Sequence, residues 1–396
     1  MSAGAALLPG TQTAGLGAGP LTLGVLGGGQ LGRMFVHAAQ TMGYETAVLD
    51  PDTDSPAGRV SHHHIQTAYQ DPQGLAQLAA LCRAVTTEFE NVPADALATL
   101  AARRIVSPGA RAVAIAQDRL AEKAHFVRCG VPCAPFAAIA NVADVEAAPA
   151  DLLPGILKTA RLGYDGKGQL RVADRAQLRQ AFADLKQQVC VLEKMLALRL
   201  ECSVILARGA DGAMVEFPVQ RNLHRAGILA VTEVFADALP TPIAAQAVQA
   251  ARAIAQGLDY VGVLCVEFFV LQDGNLVVNE IAPRPHNSGH YTLDACDQSQ
   301  FDLQVRTLAG LPLIQPRQHS AALMLNILGE LWGPHLDATP RWDALLALPG
   351  AHLHLYGKRQ ARPGRKMGHL TLTAHSPQAA RATALEAARI LGIEAF

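Results

Sequence analysis

The residues best suited to chemistry stand on either side of a short turn. Val263–Val270 and Leu276–Ile281 are apolar runs flanking Asp273-Gly274, a favoured two-residue hairpin turn. Such a turn sets Glu267 opposite Glu280, with Cβ atoms about 5 Å apart. The residues around Glu267 are otherwise apolar, so the strand reads as covered on both faces; the plainer alternative is that both acids point to water. Two facing carboxylates in such a setting repel and resist desolvation unless a divalent cation lies between them. With Asn279 adjacent, these hard oxygen ligands suit magnesium carrying nucleotide phosphates.

Directly after this hairpin comes Ala282-Pro-Arg-Pro-His-Asn-Ser-Gly-His290, a polar loop leaving a buried strand, where substrates are commonly held. Arg284, His286, Asn287, Ser288 and His290 are too dense a set to be ordinary packing, although a surface loop is the bland reading. Further upstream, Lys158 closes an apolar strand and leads into Arg161-Leu-Gly-Tyr-Asp-Gly-Lys-Gly-Gln169. Its glycines keep that loop mobile enough to close over phosphates, with Lys158 and Lys167 supplying charge. A hairpin with solvated lysines is the commoner outcome for such a turn. The pattern G-x-x-x-x-G-K-[ST] does not occur, so the chain is not a P-loop ATPase.

Two more segments bear on anions. Gly27-x-Gly29-x-x-Gly32 lies between a strand and a helix, with Asp50 ending the next strand, as in the dinucleotide fingerprint. Alone it suggests NAD, but glycine amides at a helix start serve any phosphate. Near the other end, Lys358-Arg-Gln-Ala-Arg-Pro-Gly-Arg-Lys366 carries five cations, and no Asp or Glu lies between Asp343 and Glu386. A phosphate monoester fits this tract. Nucleic acid fits poorly, because the tract is short, kinked by Pro-Gly and free of interleaved aromatics.

These segments need a frame to position them. Leu21–Leu26, Thr46–Leu49, Ala84–Thr87 and Ile105–Val106 alternate with helical patterns, which predicts a small parallel sheet. Pro132 and Pro135 mark a boundary. A smaller α/β unit follows, with strands at Gly155–Lys158 and Val189–Glu193 and a helix near Arg175–Leu185. The third unit holds the longest strands, a helix near 300–309, a strand-rich part around 320–373 and a closing helix Pro377–Leu391. The expected division is a disordered tail 1–20, a Rossmann-like unit 21–128, a small lid 129–200 and a core with C-terminal part 201–396.

At 396 residues, two or three packed units are expected. Half the residues are hydrophobic, 17% are charged and net charge is -1, so no whole-protein field draws nucleic acid or an anionic membrane. No apolar window is long enough to cross a bilayer. The seven cysteines form no C-x-x-C pair and lie in apolar surroundings, as expected of reduced thiols in a cytoplasmic protein. The first cation is Arg33, so the basic start of a secretory signal is missing.

GGGQLGRM, TEFENVP, QDRLAEK, GYDGKGQ, VNEIAPRPHNSGH and RPGRKMGHL, in this order across about residues 22–373, resemble the ATP-grasp superfamily and, within it, the N5-carboxyaminoimidazole ribonucleotide synthases. The resemblance implies an α/β (α+β) ATP-grasp fold with a Rossmann-like pre-ATP-grasp domain and a small β-rich C-terminal part. It implies that Lys158 with Gly163, Tyr164, Asp165, Gly166, Lys167, Gly168 and Gln169 holds ATP phosphates. Glu193, Lys194, Met195 and Leu196 would meet adenine, Glu201 the ribose, His224 and Arg111 the nucleotide. Glu267 and Glu280, helped by Asn279, would bind magnesium, the role the hairpin suggests independently. Tyr164, Asp165, Arg284, His286, Asn287, Ser288, Lys358, Arg365 and Lys366 would line the ribonucleotide and bicarbonate site, approached by Gln30. Lys158, Arg284, His286 and Asn287 would carry the catalysis.

The implied reaction joins bicarbonate to 5-aminoimidazole ribonucleotide at the expense of ATP, through carboxyphosphate, in purine synthesis. Biotin is not expected, nor is a nucleic-acid or membrane partner, and the family suggests a homodimer. Another ATP-grasp ligase, such as a formate-using transformylase or a biotin carboxylase, is the nearest rival. A Rossmann dehydrogenase leaves Glu267, Glu280 and the second glycine loop unexplained. A non-catalytic nucleotide-binding scaffold would have no reason to keep Lys158 and both acids.

Overall fold

The computed structural model describes residues 6–13, 19–163, 168–235, 237–335 and 338–396. The first unit is a parallel sheet in the order His63–Ile65, Glu45–Leu49, Thr22–Leu26, Ala84–Thr87, Ile105–Val106. Leu23, Val25, Leu26, Val48 and Leu49 are fully buried, which is why these strands read as unbroken apolar runs: helices cover both faces. The expected detachment of 1–20 does not hold for its described residues. Gln12–Thr13 pairs with Gly19–Pro20, the Leu7 amide donates to Ala309 O at 2.8 Å, and Tyr44 Oη donates to Leu7 O at 2.5 Å. Apolar Leu7 has a groove to fill beside the helix Gln300–Ala309, which the Ala and Gly content does not reveal.

The second unit is an antiparallel sheet in the order Gln169–Val172, Gly155–Thr159, Cys190–Lys194, Phe136–Ile139. Helices Val142–Ala147 and Arg175–Asp184 cover one face through Val145, Leu178, Ala181 and Phe182.

The third unit is one long antiparallel sheet. It runs Leu276–Ala282, Gly262–Leu271, Leu198–Arg208, Gln220–Arg225, Ile228–Val234, Ala321–Leu328, Lys366–Ala374, Ala351–Leu355. One face, with Cys202, Val204, Leu264, Val266 and Phe268, packs on the helix Thr241–Gly257 through Ala247, Ala251 and Ile254. Each fully buried Leu or Phe here is worth roughly 1.5–3 kcal/mol. The other face is divided: Ile205, Ala207, Val263 and Cys265 lie under Tyr291 and Leu303, while Glu201, Glu267 and Phe269 open onto a cleft. A strand with one face covered and the other half covered shows no clean alternation.

The hairpin departs from the expected two-residue turn. Leu271 N donates to Asn275 O at 2.8 Å, so Gln272, Asp273 and Gly274 form a three-residue loop with Gly274 at φ 88°. Pairing beside the turn is therefore shifted by one, Phe268 facing Val278. A bulge at Asn279 shifts it back, and Glu267 faces Glu280 after all. Two departures cancel, and the second has a use: it puts Asn279 and Glu280 side by side opposite Glu267, and all three line the cleft.

Candidate active site

The cleft, about 540 Å³, lies where the three units meet. Its floor is the hairpin and the strand Leu198–Arg208, its roof the second unit, its end wall Glu90 and the loop after Ala282. Lys158 projects from the roof strand Gly155–Thr159 and is nearly buried, its Nζ 3.1 Å from Glu193 Oε2. Lys123 Nζ meets the other oxygen of Glu193 at 3.3 Å. Burial alone would raise the Glu193 pKa, but Lys158 and Lys123 outweigh it and hold the carboxyl below its usual range. Glu193 therefore holds Lys158 in place, and it lines the cleft together with its neighbours Lys194, Met195 and Leu196.

Gly163 and Gln169 also line the cleft, and Gly168 closes the hairpin behind them at φ 72°. Tyr164, Asp165, Gly166 and Lys167 lie outside the described residues. Deeper in, Glu201 and His224 pair at 2.6 Å between Oε2 and Nδ1, and this contact and nearby Glu267 raise the His224 pKa against its burial.

Glu267 is the most constrained acid. Burial pushes its pKa up, yet His286 Nε2 at 2.9 Å from Oε1, with His224 and Lys366 beyond, brings it down to about 2. Glu280 receives Arg119 Nη1 at 3.0 Å. The donor set fits a hard divalent ion: two carboxylates, one held ionised, beside the Asn279 amide. Asn287 is buried on the same wall, and both its side-chain polar atoms lack a partner.

Arg284 is seated by Glu90, Nε to Oε2 at 2.5 Å; burial would lower the arginine's pKa, but Glu90 raises it, and Glu90 in turn is held at about 2 against its own desolvation. Arg284, His286, Asn287 and Lys366 line the cleft. Lys358 Nζ donates to Lys366 O at 2.7 Å and Arg365 Nη1 to Gln360 O at 2.8 Å, so both stand in the basic loop outside the cleft wall. Gln30 opens the helix Gln30–Thr41, also outside that wall.

Two expectations need correction. Arg111 is exposed on the short helix Ala110–Ala116 and does not reach the cleft; Arg119, at the start of the next helix, does. Asp118 caps that helix through Leu120 N and Ala121 N and so aims Arg119 inward, a signal that QDRLAEK contained and simple spacing missed. Ser288 does not line the cleft: it is fully buried behind His286. Sequence reasoning also passed over Glu122, buried beneath the floor with its carboxyl raised to about 8 by desolvation, despite Arg119, and accepting Ile281 N at 2.7 Å.

The dinucleotide reading fails on geometry. Gly28 N donates to Asp50 Oδ2 at 2.7 Å and Gly32 N to Glu88 Oε2 at 2.7 Å. The amides that would hold a pyrophosphate are taken by the protein's own carboxylates, and Glu88 sits where a Cβ on Gly29 would be.

Three family descriptions match in succession: a ribonucleotide synthetase preATP-grasp domain over residues 21–117, an ATP-grasp domain over 124–301 and a phosphoribosylaminoimidazole carboxylase C-terminal domain over 322–383. The N5-carboxyaminoimidazole ribonucleotide synthase of Brucella melitensis is 45% identical over 357 residues, 88% of this chain and 95% of its own; that of Bacillus subtilis is 40% identical, covering 88% and 90%. The Staphylococcus aureus synthetase complexed with ADP superposes with a TM-score of 0.85 at 36% identity, over 94% of this chain and 97% of that one. The Aspergillus clavatus synthase in complex with ADP and 5-aminoimidazole ribonucleotide gives 0.85 at 31% identity, over 94% and 98%. With its cleft built from the same three domains in the same order, the chain belongs to the N5-carboxyaminoimidazole ribonucleotide synthase family of ATP-grasp ligases.

Proposed function

We propose that this cleft joins bicarbonate to the exocyclic amine of 5-aminoimidazole ribonucleotide, consuming ATP and releasing ADP and phosphate. The observation that carries it is Glu267 facing Glu280 beneath Lys158, with Arg284, His286 and Asn287 on the adjoining wall. ATP lies with adenine at Lys194–Leu196, ribose at Glu201 and phosphates along Lys158 and Gln169. Glu267, Glu280 and Asn279 hold magnesium, which when bound offsets charge on the transferring phosphoryl group.

A bicarbonate oxygen attacks the γ-phosphorus, the bond to the β-bridging oxygen breaks, and ADP leaves. Arg284, pinned by Glu90, offers a fixed guanidinium to the bicarbonate and to the carboxyphosphate that follows. The amine nitrogen then attacks the carboxyl carbon, phosphate leaves, and the nitrogen gives up a proton. Carboxyphosphate hydrolyses in open water, so the second unit, carrying the glycine loop, closes over it. The basic loop with Lys358, Arg365 and Lys366 takes the ribonucleotide's phosphate.

Among the described residues no helix is long and apolar enough to cross a membrane; work in purine synthesis suits a cytoplasmic enzyme, and the family suggests a homodimer. The test is ADP release from Mg-ATP, bicarbonate and 5-aminoimidazole ribonucleotide with each component omitted in turn. Release should require all of them; release indifferent to the ribonucleotide would remove this substrate.

A further inference from the structure

A line of buried polar side chains crosses the sheet behind the cleft and ends on His286. Thr232, Asn222 and Ser203 sit on three neighbouring strands, each almost or fully inaccessible. Thr232 Oγ1 donates to Asn222 Oδ1 at 3.0 Å, and Asn222 Nδ2 donates to Ser203 Oγ at 2.9 Å. Ser203 Oγ lies 2.8 Å from Ser288 Oγ, and Ser288 Oγ lies 3.0 Å from His286 Nδ1. Burying so many hydroxyls and amides in a sheet is costly unless each is satisfied, and here they satisfy one another.

The proton count gives the line a direction. Ser288 N–H, which can only donate, points at His286 Nδ1 at 3.3 Å, so Nδ1 is the acceptor. The ring proton is then on Nε2, which faces Glu267 Oε1 at 2.9 Å. The Ser203 proton has two acceptors in reach, Ser288 Oγ and, at 3.0 Å, Gln220 Oε1, so no member of the line is left unsatisfied.

We infer that Ser203 and Ser288 are positioning residues: backed by Asn222 and Thr232, they fix the ring of His286 so that its Nε2–H binds one oxygen of Glu267 and turns the other toward the cation. Partners behind a ligand commonly set its orientation and affinity for the ion. The inference rests on Glu267 being a magnesium ligand.

The test is calorimetric titration of magnesium into the ADP-bound protein, read beside steady-state kinetics with free magnesium varied at saturating Mg-ATP, bicarbonate and ribonucleotide; each variant should shift the magnesium Kd as it shifts its KM. Ser203→Ala should raise the KM for magnesium by roughly 10–100-fold, the range for loss of such a partner, and leave the KM for ribonucleotide within about twofold. Ser203→Thr, which keeps the hydroxyl, should restore most of it. Ser288→Ala guards against a folding failure, since Ser203 can still donate to Gln220; it should shift the magnesium KM in the same direction. If both alanine variants keep the wild-type magnesium KM, or if every KM is unchanged and only kcat falls, the line is structural and the inference is overturned. A wild-type enzyme indifferent to magnesium would instead remove the metal assignment on which it rests.

Discussion

Two clusters in this molecule have nearly the same composition and opposite character. Cys265, Glu267 and His286 meet at the cleft floor; Asp294, His354 and His369 meet where the strands Ala351–Leu355 and Lys366–Ala374 join the core. Both bring candidate ligand atoms within 4.8 Å of one another. In the second, His354 and His369 are stacked, centroids 4.5 Å apart and planes at 9°, so their in-plane lone pairs run side by side and do not converge on one ion. Asp294 is occupied by His354 at 2.9 Å, and His369 Nδ1 meets Tyr356 Oη at 3.0 Å. That cluster is a fastening. In the first, Glu267 faces a second acid and an open cleft. Residue types alone do not separate a site from a joint; the directions of the lone pairs do.

The largest effect should come from breaking the open cluster. Glu267→Gln keeps the shape but loses the charge facing Glu280, and kcat should fall by roughly 10²–10³-fold, the scale of losing one charge-stabilising group. The unfolding midpoint should fall as well, since the pairing with His286 that holds Glu267 at about 2 also favours the native state. A variant that unfolds readily but turns over normally when folded would make the floor a joint as well.

Lys158→Met should rank next. Glu193 keeps Lys123 at 3.3 Å, so the roof stays closed over an intact ion pair. The lost contact to phosphate, a hydrogen bond from a charged donor, is worth about 1.5–3 kcal/mol, or roughly 10–100-fold in kcat/KM for ATP. An unchanged value would place the phosphates elsewhere.

The closed cluster should answer in stability. His369→Gln should cost roughly 1–3 kcal/mol at pH 8, as expected for disturbing a buried hydrogen-bonded group, with kcat within a few-fold of wild type. Burial first, then His290 and His354, push the His369 pKa well below 6.5. The unfolded chain therefore binds a proton that the native state refuses, and stability is lost as pH falls through 6.5. At pH 5.5 this loss is about 1.4 kcal/mol in wild type and absent in the variant, so the gap between them should narrow by that amount. Denaturant titrations at the two pH values measure it; a constant gap would mean that the imidazole is already charged in the folded state.

Much of the site was legible because its residues are close in sequence. Glu267, Asn279 and Glu280 share one hairpin, and their pairing survives two opposite errors about the turn. The loop Arg284–His290 follows directly. What stayed hidden depends on long-range packing. The strand Leu198–Arg208, in the middle of the great sheet, and its partner Gln220–Arg225 carry polar residues that look like loop composition, because the line Ser203–Asn222–Thr232 makes sense only when three strands lie side by side. Glu88 and Asp50 likewise close the first glycine motif from outside it, which no local pattern shows.

The smallest effect is the one that separates two arginines eight positions apart. Arg119 enters the cleft because Asp118 caps its helix and leaves the first side chain pointing at Glu280; burial lowers its pKa less than Glu280 and Glu122 raise it. Arg111 sits one helix earlier, exposed and outside the cleft lining. Arg119→Ala should leave Glu280 beside buried Glu122 without a cation and raise the KM for ATP by roughly tenfold or more, since a charged hydrogen bond is worth about 1.5–3 kcal/mol. Arg111→Ala should change kcat and both KM values by less than about twofold and stability by no more than about 0.5 kcal/mol, the range for an exposed substitution away from special features. A clear rise in the ATP KM for Arg111→Ala would mean that closure of the second unit carries the nucleotide to a different edge of the first, and the cleft described here would then be only its open form.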